Sequence, residues 1–171
     1  MDVFKAIKSR KSVRDYREDP ISEDSIDKVL EAARLAPSAH NAQDYKFIVV
    51  QDKKKIKQLA KAANQSFIER APIVIVGVSS NPNVDMSSGV PAYPVDVAIA
   101  LDYMTLEAVE QDLGTCWIGA FSQKEVKEIL QIPEESRVVA MLTLGVPYDP
   151  EPRPKSRKSL SELICKEKYS E

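Results

Sequence analysis

The run Ile-Val-Ile-Val-Gly-Val at residues 73–78 constrains the fold of this chain more than any other segment. Nearly all of its residues are β-branched and none is polar, which is typical of a strand that is buried on both faces. The other predicted strands come at long intervals along the chain, with segments of helical periodicity between them. This spacing excludes a β-sandwich, in which short strands follow one another closely.

Helices and strands are predicted before and after this buried strand. The helix at 95–113 is apolar almost all round, which is typical of a helix buried in a core or an interface, and Gly114 is expected to end it. Four prolines follow Gly145, so the tail is expected to run extended along a surface. The other helices are predicted at 2–9, from Ser22 to Pro37, at 53–63, from Ser122 to Leu130 and near 159–166, and the other strands at 46–51, 115–118 and 138–144.

Composition narrows the class of protein. The chain has 171 residues without internal repeats, which predicts a single domain spanning 1–171. A net charge of −2 disfavours a general nucleic-acid binder. No apolar run reaches the length of a membrane helix, and the N-terminus is too charged for a signal peptide. Because the two cysteines are far apart and His40 is the only histidine, we expect free thiols, no metal site and a cytoplasmic location.

Two basic segments at opposite ends of the chain predict a local anion site. Arg10 and Arg14, with Ser12 between them, provide guanidinium forks and a hydroxyl that suit a phosphate monoester. The sequence Arg-Pro-Lys-Ser-Arg-Lys at 153–158 adds four cations. The chain has only five glycines and no glycine-rich phosphate loop, so side chains must hold a phosphate here. The alternative is a solvated basic turn that follows a short helix.

Two further segments could accommodate a flat, hydrogen-bonding ligand. Residues 36–43 form a loop of hydroxyl, imidazole and amide groups between a helix and a strand. Residues 114–120 contain small residues that let backbone approach a ring. Each of these features also has a purely structural explanation. The polar groups of the loop could cap a helix, and Cys116 could simply pack in the core. Asp96, at the start of the long helix, could interact favourably with the helix dipole.

Four motifs in order carry a resemblance to a known family. They are Arg-x-Ser-x-Arg with a following aromatic at 10–16, Pro-Ser-x-x-Asn-x-Gln at 37–43, Gly-x-x-x-x-Gly at 114–119, and Lys-x-Arg at 155–157. Each motif alone is weak, but the four together at this spacing are specific. On these residues the chain resembles the FMN-dependent nitroreductase family, as a compact member, from Val3 to about Leu163.

The resemblance implies an α+β fold with a central mixed, mainly antiparallel sheet flanked by helices. It also implies a homodimer with FMN at the subunit interface, in which a domain-swapped tail, about 146–171, packs on the partner. The ribityl phosphate would be held by Arg10, Lys11, Ser12, Arg14, Lys155 and Arg157. Asn64 would lie near the pyrimidine edge of the flavin, Ile118, Gly119 and Ala120 along one face of the ring, and Pro37, Ser38, Asn41 and Gln43 would come from the other subunit.

The sequence departs from the family pattern in two places. Asp44 and Tyr45 stand where proline and tryptophan usually follow Gln43, which would put a carboxylate near the substrate mouth. The helical insertion of longer members is missing, and only the loop 80–92 remains, so we expect a more open pocket.

The predicted function is that of an FMN-dependent oxidoreductase. NAD(P)H would reduce the flavin and leave, and a small electrophile such as a nitroaromatic or a quinone would then take the electrons in a ping-pong cycle. The cofactor carries such chemistry, so no catalytic side chain is predicted. The alternatives are a flavin-consuming or dehalogenating relative on the same fold and a non-enzymatic flavin- or nucleotide-binding protein.

Overall fold

The computed structural model of the protein describes residues 2–170, so Met1 and Glu171 of the predicted domain lie outside the described residues. Two short 3-10 segments, at Ala39–Asn41 and Ser66–Arg70, accompany the regular elements. The helices are α1 (Val3–Ser9), α2 (Glu23–Arg34), α3 (Lys53–Ala62), α4 (Ala92–Glu110), α5 (Gln123–Leu130) and α6 (Leu160–Leu163), and the strands are β1 (Tyr45–Val50), β2 (Ile73–Ser79), β3 (Gly114–Ile118) and β4 (Arg137–Gly145).

The four strands form one sheet in the order β1-β2-β4-β3, and every neighbouring pair is antiparallel. All seven residues of β2 are buried, as the β-branched run predicted. Gly77 brings α4 close to this strand, because a Cβ there would lie 2.7 Å from the Val97 side chain. A parallel bridge between Ser12 and Thr115 adds the mixed character that the resemblance implied.

Helices cover both faces of the sheet. On one face α3 and α5 contribute Ile56, Leu59 and Val126 to an apolar core. On the other face α2 and α4 contribute Val29 and Leu101, among others, to a second core. The predicted α+β architecture with flanking helices is therefore confirmed.

The segment after α1 is attached to the free edge of β3. The backbone N–H of Val13 donates to the Thr115 carbonyl at 2.8 Å. Gly114 is required for this approach, because a Cβ there would lie 2.6 Å from the Val13 side chain. The buried Tyr16 hydroxyl then lies 2.7 Å from the Val13 carbonyl and 2.6 Å from the Thr143 hydroxyl. The segment is thus held against both β3 and β4.

Two details of the predicted long helix were wrong. The helix begins at Ala92, after an N-cap at Pro91, rather than at Val95. It ends at Glu110, and the chain then turns at Asp112, whose φ is 56°, before Gly114 begins β3. Asp112 therefore makes the left-handed turn, and Gly114 serves close packing against Val13 instead of ending the helix.

The tail beyond β4 is attached at its start, where Pro147 is buried and the Tyr148 N–H donates to the Asp15 carbonyl. All residues from 150 to 170 are exposed, including Leu160, Leu163 and Ile164 in and after α6. Packing of this tail on a partner subunit stays a prediction, because a single chain is described. No helix within residues 2–170 is both long enough and apolar enough to cross a membrane.

Replacing Tyr16 with phenylalanine should lower the free energy of unfolding by about 1–2 kcal/mol, since the change removes a buried hydroxyl that has two partners. Urea denaturation followed by circular dichroism measures this loss. Tyr148→Phe is the matched control, because Tyr148 is 70% exposed. Equal stability of the two variants would show that the Tyr16 hydroxyl contributes nothing to the attachment of the segment.

Candidate functional site

Arg10, Ser12 and Arg14 lie together beside Cys116 of β3, on one side of the extended segment. Burial raises the pKa of the Cys116 thiol, while Arg14, a hydrogen bond from Ser12, and Arg10 partly oppose that rise. Three of the six predicted phosphate contacts thus lie near a single thiol. Cys116 itself is buried, at 2% exposure, which agrees with the packing role weighed from the sequence.

The C-terminal basic motif lies at the same place. Partial burial lowers the pKa of the Lys155 ammonium, and repulsion from Arg10 and Arg157 lowers it further. The Lys155 ammonium also donates to the carbonyl of Ile7, in the last turn of α1. The two basic segments, more than 140 residues apart in sequence, therefore meet as one group, which we call the basic cluster: Arg10, Ser12, Arg14, Lys155 and Arg157.

The basic cluster carries positive charge without matching carboxylates. Among residues 2–170, no ion pair engages Arg10, Arg14, Lys155 or Arg157. Neighbouring cations repel one another, so a site built this way favours an anion with several acceptor oxygens. A phosphate monoester, such as the one at the end of FMN, fits this donor set.

Lys11 is placed differently from the other predicted phosphate contacts. Its ammonium lies 3.4 Å from the Asp149 carboxylate and also donates to the Glu151 carbonyl. Arg10 and Ser12, its neighbours in an extended segment, point toward Cys116, and successive side chains of such a segment alternate. A contact from Lys11 to phosphate stays a prediction that this geometry does not favour.

A shelf of small residues follows β3 next to the basic cluster. Ile118 is buried, whereas Gly119 and Ala120 are exposed. A Cβ on Gly119 would meet no atom within 4 Å, so the space over this glycine is open. The Gln65 side chain donates to the Ala120 carbonyl at 3.4 Å and thereby connects the turn after α3 to the shelf.

The turn after α3 brings further groups to the same edge. Asn64 is exposed and has a φ of 50°, directly before Gln65. The Arg14 guanidinium lies 5.6 Å from the centre of the Phe67 ring, a distance suited to a cation–π contact. Sequence reasoning identified Asn64 but missed Gln65 and Phe67, because a lone glutamine and a lone aromatic in a loop carry no spacing signal.

The predicted loop with Pro37, Ser38, Asn41 and Gln43 lies at the opposite edge of the sheet. It leads directly into β1, the edge strand farthest from β3. Three strand spacings separate these two edges, a distance of about 14 Å. One chain therefore brings the basic cluster, the shelf and Asn64 together, and it does not bring the 37–43 loop to them.

The 37–43 loop has an unusual but well-bonded backbone. His40, Asn41 and Gln43 have φ values of 53°, 55° and 54°, in the left-handed region that non-glycine residues rarely adopt. The Ser38 hydroxyl accepts a hydrogen bond from the Gln43 N–H at 3.1 Å, and the Gln43 amide donates to the Asn41 carbonyl at 3.0 Å. The sequence left helix capping as an alternative role for the polar side chains of this loop. Ser38 and Gln43 instead form hydrogen bonds within the loop itself.

Known proteins resemble this chain over most of its length. An Archaeoglobus fulgidus protein, whose name pairs NADH dehydrogenase with NAD(P)H nitroreductase, is 33% identical over 158 residues, covering 86% of this chain and 87% of that protein. The FMN reductase [NAD(P)H] of Bacillus subtilis is 28% identical over 166 residues, covering 86% and 67%.

A crystal structure and a family model extend the likeness to the fold. A nitroreductase family protein from Clostridium novyi NT superposes with a TM-score of 0.82 at 39% identity, covering 87% of each chain. The nitroreductase family model matches residues 7–71 and 60–146, which together run from the end of α1 through β4. By its motifs, its fold and these matches, the chain belongs to the nitroreductase family.

Proposed function

We propose that this protein binds FMN between the subunits of a homodimer and transfers electrons from NAD(P)H to a small electrophile by a ping-pong mechanism. As a member of the nitroreductase family it is an NAD(P)H-dependent oxidoreductase with FMN as its cofactor. The observation that carries the proposal is the basic cluster, in which a serine and four cations that form no ion pair within residues 2–170 converge beside an open shelf.

The basic cluster would hold the ribityl phosphate, since guanidinium and ammonium groups bind phosphate oxygens by charge-assisted hydrogen bonds. The shelf at Gly119 and Ala120 would support one face of the ring system, because its open surface admits a flat group. Asn64 would present an amide to the ring edge from the same side. When bound, FMN would supply the hydride and electron chemistry, while these residues bind and orient it.

A second copy of the chain would complete the site. The loop leads into β1 and the shelf follows β3, and three strand spacings, about 14 Å, separate these two edge strands, so a flavin on the shelf would meet this loop from another subunit. Exposed apolar residues on α1 and α4, such as Phe4 at 61% and Tyr103 at 42%, provide a surface suited to such an interface. The exposed tail with Leu160 and Leu163 could pack there as well.

Arg10→Ala should weaken FMN binding by about 1.5–3 kcal/mol, because it removes a charge-assisted bond to the phosphate. Fluorescence quenching during titration of the apoprotein measures the affinity. Arg17→Ala is the matched control, since Arg17 lies in the same segment but pairs with Asp19 at 2.5 Å. If the two variants bind FMN equally well, the phosphate is held elsewhere.

FMN affinity should also fall as the solution becomes alkaline. The lowered pKa of Lys155 means that this ammonium loses its proton at a lower pH than an ordinary lysine, and a bound phosphate dianion opposes the loss. The affinity is therefore full below the pKa of the free protein and declines as the pH rises through the pKa of the complex. Titrations between about pH 8 and 10.5 measure this decline.

Lys155→Met tests the assignment of this pH dependence. The variant should bind FMN more weakly at pH 8 and show no decline over the same range. Lys155→Arg should keep the affinity at high pH, because guanidinium stays protonated there. A decline that persists unchanged in both variants would assign the titration to another group.

The purified protein should be yellow, and NAD(P)H should bleach the flavin absorbance in the absence of oxygen. Initial rates at several concentrations of NAD(P)H and of a quinone should give parallel double-reciprocal lines, as a ping-pong mechanism requires. A colourless protein that takes up no added FMN contradicts the proposal. Intersecting lines contradict the ping-pong step alone, and turnover of a halophenol in place of quinones and nitroaromatics favours a dehalogenating relative.

A further inference from the structure

Asp96 is a buried carboxylate whose contacts reach outside its own helix. It lies in α4, is 5% exposed, and accepts a hydrogen bond from the Ala39 N–H at 2.9 Å. No ion pair within residues 2–170 involves it. The helix starts four residues earlier, at Ala92, so Asp96 does not cap it, although its place in the sequence favoured a helix-dipole role.

This hydrogen bond links the 37–43 loop to the core of the domain. The other hydrogen bonds of residues 38–43 join the loop to itself or to Tyr45 at the start of β1. They shape the loop without attaching it to another layer of the fold. The Ala39 N–H, held by Asp96, is thus the described contact that fixes the loop relative to α4.

The loop needs such an attachment. Three residues in the left-handed region, at 40, 41 and 43, each cost on the order of 1 kcal/mol, and the surrounding structure must offset that cost. A small cavity bordered by Asp96, Tyr45 and His40 lies beneath the loop, so close packing does not support it there. The Tyr45 hydroxyl has no hydrogen-bond partner in the part of the chain that the structure describes, so it does not hold the loop.

We infer that Asp96 is a positioning residue for the flavin ring: through the Ala39 N–H it holds the 37–43 loop in the conformation that presents Ser38, Asn41 and Gln43 to FMN on the partner subunit. This inference rests on the proposed function. Asp96 touches no cofactor itself. Its effect comes from the fraction of molecules in which the loop is already in its binding conformation, because apparent affinity falls in proportion to that fraction.

Comparing FMN with riboflavin separates contacts to the flavin ring from contacts to the phosphate. Riboflavin has the ring but lacks the phosphate, so it depends on the loop and the shelf and not on the basic cluster. Loss of the loop anchor should weaken FMN and riboflavin by the same factor, about tenfold if the competent fraction falls to about one tenth. Arg10→Ala, in contrast, should weaken FMN and leave riboflavin unchanged.

Asp96→Leu removes the acceptor and puts a larger apolar side chain beside the cavity, whereas Asp96→Asn has nearly the same volume and keeps an acceptor oxygen without the charge. We expect the leucine variant to lose about tenfold in affinity for both flavins and the asparagine variant to stay within about threefold of the wild type. Asp102→Asn is the matched control, because Asp102 is an exposed carboxylate on the same helix. Apoprotein melting temperatures identify variants that are merely unstable.

A second variant tests the bond from its other end. Ala39→Pro removes the donor N–H without changing the buried carboxylate, and the extended Ser38 that precedes it, with φ −138° and ψ 159°, suits a following proline. It should weaken both flavins as Asp96→Leu does, and the double variant should be no weaker than either single one.

The flavin affinities of these variants test the positioning role of Asp96. Equal losses for both flavins in Asp96→Leu and Ala39→Pro, without additivity, support it. If Asp96→Leu does not fold, Ala39→Pro alone decides, and unchanged riboflavin affinity in that variant overturns the inference. Loss in Asp96→Asn equal to that in Asp96→Leu, with no effect of Ala39→Pro, also overturns it. Failure of the proposed function is distinct, because the wild-type protein would then bind no flavin at all.

Discussion

The attachment of residues 12–16 to the edge of β3 is the interaction on which the candidate site depends. The Val13 N–H bonds to Thr115, Gly114 leaves room for Val13, and the Tyr16 hydroxyl holds the segment to Thr143 of β4. Because an extended segment alternates its side chains, this attachment directs Arg10, Ser12 and Arg14 toward one side. Buried hydrogen bonds thus position exposed charges. Without the sheet edge, these cations would be a solvated basic turn.

The cations of the basic cluster favour the binding of an anion, but they are electrostatically unfavourable in the ligand-free protein. Desolvation lowers the pKa of Lys155, and repulsion from Arg10 and Arg157 lowers it further. Clustered cations do not stabilise the folded domain by themselves, but an anion that binds the folded state increases its stability by mass action. The 37–43 loop shows the same principle in its backbone, where strained residues are held by a buried carboxylate. Both features point to a ligand that the folded chain is arranged to receive.

Local signals predicted most elements. Asp2, Ser22, Asp52 and Ser122 cap α1, α2, α3 and α5 as polar residues before apolar-periodic runs should, and β2 is buried along its whole length. Errors arose where tertiary contacts outweighed local signals: Gly114 packs against Val13 instead of ending α4, and Asp96 bonds to Ala39 instead of serving its own helix. Phe67 and Gln65 joined the site without any sequence signal, since only the fold brings them there.

By itself, the sequence determined the order of helices and strands, the presence of two basic segments and the family, because capping residues, hydrophobic periodicity and motif spacing are local properties. Only the tertiary structure decided which cations converge. Arg10 and Lys155 meet across nearly the whole chain, whereas Lys11, adjacent to Arg10, pairs with Asp149. The structure also decided that the 37–43 loop and the shelf lie at opposite sheet edges. Strand order and side-chain direction depend on long-range pairing, which no local pattern encodes.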